Sequence, residues 1–297
     1  MVTVRVPATS ANLGPGFDTL GMAIDLFLTV EAINAKATSC HFIGEGQSQL
    51  NISNKENFIL IGLKKVFQEA QEKMPTLKMT VNNQIPIGKG LGSSAAAILA
   101  GVLIGNHLLN QKFNTDQIIK IAADLEGHAD NVVPAMVGGL TTVMEYDGAV
   151  YFQKVEMPDS INVIIAVPDF ELSTHKCRQV LPEKVDLHDT VANLQRACML
   201  LASIFNGDFR HIDMAMDDKI YQPLRKQFIP GFDEVLREAR AAGASGVALS
   251  GAGPSIIAFA VSGDEMIGKA MQDAFIRYEV SCQILNLKPN KGGALIL

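Results

Sequence analysis

From Gly90 to Gln111 the chain runs twenty-two residues without a Lys, Arg, Asp or Glu, and this run constrains the fold more than any other stretch. Its length could cross a bilayer, which takes about 20 apolar residues. It is too polar for that role: it holds Ser93, Ser94, Asn106, His107 and Asn110, and its continuous small and apolar part extends only from Ala95 to Gly105. It reads as a helix buried in a soluble domain, and no membrane partner is expected. A chain of 297 residues that is 48% hydrophobic can supply such a core without disulfides or metals. The N-terminal MVTVRVPATSAN has one charge and no long apolar segment, so it is not a signal peptide, and a cytoplasmic location is the expectation.

Charge and cysteine content remove other classes. Lys and Arg total 25 against 31 Asp and Glu, a net charge of −6, and the basic residues are scattered, so nucleic acid is not an expected partner. Cys40, Cys177, Cys198 and Cys282 lie far apart without zinc-ligand spacing and read as buried free thiols.

The pattern around the run is mixed. Val2, Val4 and Val6 alternate with Thr3 and Arg5 as a strand ended by Pro7, and Leu28 to Ala35 repeats the alternation. A helical stripe covers 57–73, a strand 77–81, and a helix capped by Thr115 or Asp116 runs to about Leu125. Val132 to Val137 is a short helix, and Asp147-Gly148 turns a hairpin between 140–145 and 149–155. Beyond Pro158 come an almost wholly apolar strand at 161–167 and helices at about 189–206, 208–220 and 231–242. Strands 246–249 and 256–261 flank SGAGPS, and a helix at 265–277 and a strand at 280–287 follow. This is an α+β chain in two halves, 1–158 and 159–297.

The uncharged helix is entered through Pro86-Ile87-Gly88-Lys89-Gly90-Leu91-Gly92-Ser93-Ser94-Ala95, between a strand and the helix. Glycines let the backbone come close to a ligand, and a helix N-terminus with no acidic residue in its first turns favours an anion, so the segment suits a di- or triphosphate. It is not a Walker A loop, because Gly88-Lys89 is followed by Gly90 instead of Ser or Thr. Nor is it a dinucleotide fingerprint, since Gly92 falls at the wrong offset and no acid appears before Asp116. The remaining alternative is a tight turn without a ligand.

PIGKGLGSSAA resembles the ATP-binding loop of the GHMP kinases, named for galactokinase, homoserine kinase, mevalonate kinase and phosphomevalonate kinase. PATSANLGPGFDTLGMA (7–23) and SGAGPS (250–255) stand in that family's order, and PATSANLGPGFD resembles in particular the branch that phosphorylates homoserine. The resemblance implies a two-domain GHMP kinase fold, with an N-terminal domain like domain 2 of ribosomal protein S5, which binds ATP, and a ferredoxin-like C-terminal domain. It implies ATP and Mg2+, L-homoserine as the small-molecule substrate, O-phospho-L-homoserine as a product on the way to threonine, and a possible homodimer. The alternative keeps the fold and changes the acceptor to mevalonate, shikimate or a similar alcohol; these lack an ammonium and would leave an acidic partner unmatched.

The same resemblance distributes roles. Ser94, with Ser93 as second choice, and Glu126 would hold the metal; alone, Glu126 reads as the solvated end of a helix. Asp18 would take the substrate ammonium, Arg178 and Arg225 its carboxylate, and Asn12, His128 and Asn131 would hydrogen-bond it. Each arginine alone reads as a surface residue, and His128 sits in EGHADN where the family more often has Pro at the position of Ala129. Thr174, in the stretch that carries Arg178, is a candidate for contact near the transferred phosphate, which with Ser94, Glu126 and Arg178 completes the expected catalytic set. SGAGPS either supports the phosphate loop or is an ordinary turn.

Overall fold

The computed structural model describes residues 1–47 and 57–297, with only the backbone of Thr174 and His175. The first half supplies β1 (Val2–Asn12), β2 (Gly16–Asn34), β3 (Ser39–Gly44), β4 (Leu77–Asn83), β5 (Leu140–Tyr146) and β6 (Ala149–Val155) to one sheet. Its path runs β1-β2-β4-β3, with β5 on the early part of β2 and β6 on β5. All neighbours are antiparallel except β3 and β4. The second half forms a four-stranded antiparallel sheet from β7 (Asn162–Pro168), β8 (Gly246–Leu249), β9 (Ile256–Ala260) and β10 (Cys282–Leu287), in the order β10-β7-β9-β8. The chain then returns, and β11 (Leu295–Ile296) pairs with β1.

Two periodicities explain the layers. On β7, Val163, Ile165 and Val167 join the large core shared with the first half, while Ile164 and Ala166 join the second core under the helices Phe232–Ala241 and Asp264–Ile276. Successive strand side chains face opposite ways, so a strand buried on both faces must be apolar throughout. The uncharged run becomes the helix Ser93–Leu108, buried at almost every position from Ala95 to Asn106. It lies so close to the helix Phe58–Glu69 that a Cβ on Gly101 would sit 2.0 Å from the Ile59 carbonyl oxygen, and one on Gly62 would sit 2.2 Å from that of Ile98. A charged residue on either contact face would have no water to reach.

Several sequence expectations shift. Pro7 does not end β1; the register slips between Pro7 and Ala8, and the strand continues to Asn12. An irregularity of this kind accommodates a residue with no N–H to give the ladder. The helix Thr115–Glu126 is capped by Asn114, whose side chain accepts from the Gln117 N–H while Gln117 reaches back to the Asn114 N–H. The expected helix at 208–220 shrinks to Ile212–Ala215 because Asp218 accepts from the N–H groups of Ile220, Tyr221 and Gln222 and starts a new helix, Tyr221–Arg225.

All four cysteines are free, but only Cys177 is fully buried, and Cys198 is exposed. Burial, with Asp169 nearby, pushes the Cys282 thiol up to about 11, and a thiol reacts through its thiolate. Peptide mapping after iodoacetamide treatment of the dilute, monomeric protein at pH 8 is expected to find Cys198 labelled well before Cys282; equal rates would contradict this placement.

Candidate active site

A cavity of about 480 Å³ opens between the two halves, bounded on one side by the glycine loop and on another by the β1–β2 turn and Arg178 and Arg225. Four consecutive carbonyls of the loop are tied to surrounding structure. Gly88 O accepts from the Leu172 N–H (3.1 Å), Lys89 O from the Ser255 N–H (3.3 Å), Gly90 O from Ser250 Oγ (2.7 Å) and Leu91 O from the Thr9 N–H (3.1 Å). With the carbonyls held this way, the loop N–H groups and the first turn of the helix Ser93–Leu108, which has no side-chain cap and no acidic residue, are left for an anion. Gly92 takes φ +67°, and a Cβ there would lie 1.9 Å from Thr9 Oγ1, so this corner admits glycine alone. Burial holds the Lys89 ammonium below its ordinary value, against the opposing pull of Glu171, Asp169 and Glu45.

Two of these four anchors, Ser250 and Ser255, belong to SGAGPS, which therefore braces the loop from the second half. Ser250 Oγ also shares a hydrogen bond with Ser10 Oγ (2.8 Å), and the Gly251 N–H donates to Ala11 O (3.0 Å).

Beside the helix N-terminus, the Ser94 hydroxyl donates to Glu126 Oε1. Burial pushes the Glu126 carboxyl up, opposed by the Ser94 hydrogen bond and by the His128 charge. His128 Nδ1 donates to Asp130 Oδ1 at 2.7 Å, and its Nε2 lies 3.8 Å from Glu126 Oε1. Burial disfavours the imidazolium, but the Asp130 hydrogen bond and the charges of Asp130 and Glu126 outweigh it, and the pKa of His128 ends above its ordinary value. The Asn131 amide is engaged within the protein, accepting from Thr9 Oγ1 (2.7 Å) and donating to Asp130 Oδ1 (3.2 Å).

The β1–β2 turn supplies the rest. Asn12, Leu13, Gly14 and Asp18 all have positive φ, and the turn is pinned by the Asp18 N–H donating to Asn12 Oδ1 (3.1 Å) and by Asn12 Nδ2 donating to Gly251 O (2.9 Å). Arg178 binds Asp18 through both nitrogens, Nη1 to Oδ2 at 3.0 Å and Nη2 to Oδ1 at 2.7 Å. The Phe17 ring stacks on Tyr221 at 3.9 Å, with the guanidinium carbons of Arg178 and Arg225 at 5.3 and 5.2 Å from its centroid. Arg225 is buried; its Nη1 donates to Gly251 O (3.1 Å), its Nε has no partner, and burial lowers its pKa.

Asn12, Asp18, the loop from Pro86 to Ser94, Glu126, His128, Asn131, Arg178 and Arg225 thus share one cavity. Ala95 does not line it; it is buried beneath the loop. Thr174 opens the short helix Thr174–Gln179, and its side chain lies outside the described residues. Phe17 and Asp130 join the site unassigned although both stand inside the quoted motifs. Phe42, Asn57, Phe58 and Asn83 also line the cavity, and no motif marks them because only the folding of β3, β4 and a helix end brings them together.

The family models describing the GHMP kinases N terminal domain and the GHMP kinases C terminal match residues 57–139 and 200–277. A homoserine kinase of Moorella thermoacetica is 40% identical over the whole of both chains, and one of Carboxydothermus hydrogenoformans is 38% identical over all of this chain and 97% of its own. A crystal structure of homoserine kinase from Cytophaga hutchinsonii superposes with a TM-score of 0.88 at 31% identity, covering all of this chain and 97% of that one. An L. major mevalonate kinase shares the fold at a TM-score of 0.74 and 16% identity, covering 97% of this chain and 95% of its own. Full-length relatedness at this level, together with both domain matches, makes this chain a member of the GHMP kinase family.

Proposed function

We propose that the cleft transfers the γ-phosphoryl group of ATP to the side-chain hydroxyl of L-homoserine, giving O-phospho-L-homoserine, ADP and a proton, a step toward threonine. The observation that carries this reading is the meeting, in one cavity, of a phosphate loop with its carbonyls tied away and a cluster of Asp18, Arg178 and Arg225 suited to an amino acid. Phosphoryl transfer needs positioning and charge neutralisation more than covalent help. The loop N–H groups and the helix N-terminus hold the phosphates. Arg225, with an unpaired Nε, faces the substrate carboxylate, Asp18 faces the ammonium, and Asn12 holds the turn that carries Asp18.

Ser94 and Glu126 fit Mg2+, being a hydroxyl and a carboxylate side by side next to the phosphate loop, the hard oxygens this ion takes together with phosphate and water. Bound there, Mg2+ would neutralise charge on the transferring phosphoryl group. Burial works against the His128 imidazolium, but Asp130 and Glu126 raise its pKa above the ordinary value, which favours a donor role for the ring. The proton of the acceptor hydroxyl then leaves on the phosphoryl group itself, and His128 and Asp18 orient the substrate.

The test is coupled ADP release with ATP, Mg2+ and, in parallel, homoserine, mevalonate and shikimate. Homoserine is expected to exceed the other two by at least about 10³ in kcat/KM, because an acceptor without an ammonium leaves Asp18 unmatched. No homoserine-dependent signal would remove the reading.

The proposed domain division stays at 158/159, with the terminal strand β11 carried by the first sheet. A homodimer is proposed through the helix Leu187–Asn206. Its buried positions, Asn193, Leu200, Ser203 and Ile204, lie on one face, and the opposite face exposes a stripe of Leu187 (76%), Val191, Leu194 (65%), Cys198 and Phe205 (76%). The stripe is self-complementary: an antiparallel copy centred near Arg196 sets Leu187 against Phe205 and Leu194 against Cys198, as a two-fold interface requires. Sedimentation should find a dimer that Leu194→Glu dissociates; a monomeric parent at tens of micromolar would dismiss the interface.

A further inference from the structure

The Asp18–Arg178 pair joins groups from opposite halves of the chain across the substrate end of the cavity. It is bidentate, with both side chains only 37% exposed. Asp18 is fixed by its backbone bond to Asn12, and Arg178 by the Phe17 ring beneath it. Each group therefore already has a partner in the place where a zwitterionic acceptor must set its ammonium and its carboxylate. The in-plane fork of each is filled by the other, so a substrate charge can reach one of them only as the other lets go.

We propose that the Asp18–Arg178 ion pair is an exchange gate, opened at low cost only by an acceptor that carries both charges and so replaces both halves of the pair. This rests on the reading of the cleft as a homoserine site. A zwitterion trades one ion pair for two: its ammonium takes Asp18, and its carboxylate takes Arg178 with the waiting Arg225. An acceptor with a single charge breaks the pair and leaves one of its members unmatched in a half-buried site, which is costly. The gate thus works beyond simple attraction of each substrate charge to its own partner, and it makes the two charges of the substrate depend on each other.

The experiment uses the full chain and its Asp18→Asn variant, with homoserine, 4-hydroxybutanoate (carboxylate alone) and 3-amino-1-propanol (ammonium alone). Dissociation constants are read by calorimetry, and ADP release is followed in parallel. In Asp18→Asn, homoserine is expected to bind about 100-fold more weakly, while 4-hydroxybutanoate binds about tenfold more tightly than to the parent, because Arg178 no longer leaves a charged partner. Arg178→Gln is the mirror variant and keeps the test alive if Asp18→Asn does not fold: 3-amino-1-propanol should bind it about tenfold more tightly. Relief of like-charge repulsion would also favour the singly charged ligand but fades with salt, so the gains are read at about 0.5 M NaCl, where those from freeing a directly hydrogen-bonded partner persist. Unchanged or weakened binding of the singly charged acceptor to a folded variant overturns the gate. If the parent releases no ADP with homoserine, the functional reading falls, and the gate falls with it; homoserine turnover by the parent without the gains removes the gate alone.

Discussion

Glu126→Gln is expected to lower kcat about 10³-fold while the KM for ATP stays within about threefold, read by ADP release across a Mg2+ titration. The amide keeps the shape of the side chain and can still accept from the Ser94 hydroxyl, so what is removed is the charge. One preorganised electrostatic group at the transferring centre is worth about 10² to 10³ in rate, and the nucleotide is held chiefly by loop N–H groups that Gln leaves untouched. A loss below about tenfold would return Glu126 to an ordinary helix end. The same variant should melt at a higher temperature. Burial raises the Glu126 pKa in the folded state, so folding favours its protonated form, and ionisation at neutral pH costs stability. That cost falls away as pH drops through the folded pKa, and the melting advantage of Gln should shrink with it. A variant that is more stable and nearly inactive is the signature of a charge kept for function.

Gly92→Ala is expected to destabilise the protein by about 3 kcal/mol and to raise the KM for ATP more than tenfold. The left-handed φ of +67° penalises any side chain, and the new Cβ would meet Thr9 Oγ1 at 1.9 Å and Asn131 Oδ1 at 3.1 Å. Relief requires breaking the Thr9–Asn131 hydrogen bond or lifting the corner where the loop meets the helix. Thr9→Ala removes the colliding oxygen, so the double variant should be more stable than the sum of the singles implies, and a thermodynamic cycle by chemical denaturation measures the difference. Strict additivity would mean that the clash is absorbed elsewhere.

Much of this site is legible in the sequence because its parts are local. The three motifs each span one turn and the ends of the regular elements beside it, and Ser93, Ser94, Glu126 and His128 fall close to helix ends that periodicity locates. The supports are not legible. Nothing local says that Thr9, Leu172, Ser250 and Ser255 will tie down four successive carbonyls, or that Phe17 will seat two arginines, since their partners are up to 208 positions distant, as between Phe17 and Arg225. Two helix ends differ from the periodic pattern for a related reason: the side chains of Asn114 and Asp218 capture backbone N–H groups and override the apolar pattern around them.

The sequence by itself determined that the segment from Gly90 to Gln111 is a buried helix opening on a glycine loop, because a run without charge has no stable place at the surface and an N-terminus without acid is free to meet phosphate. Only the tertiary structure decided what that N-terminus faces. It placed Glu126 against Ser94 and bound Asp18 to Arg178 across 160 positions of chain. Charge pairing acts over a few ångströms in space, and the order of residues along the chain does not encode which charges will come that close.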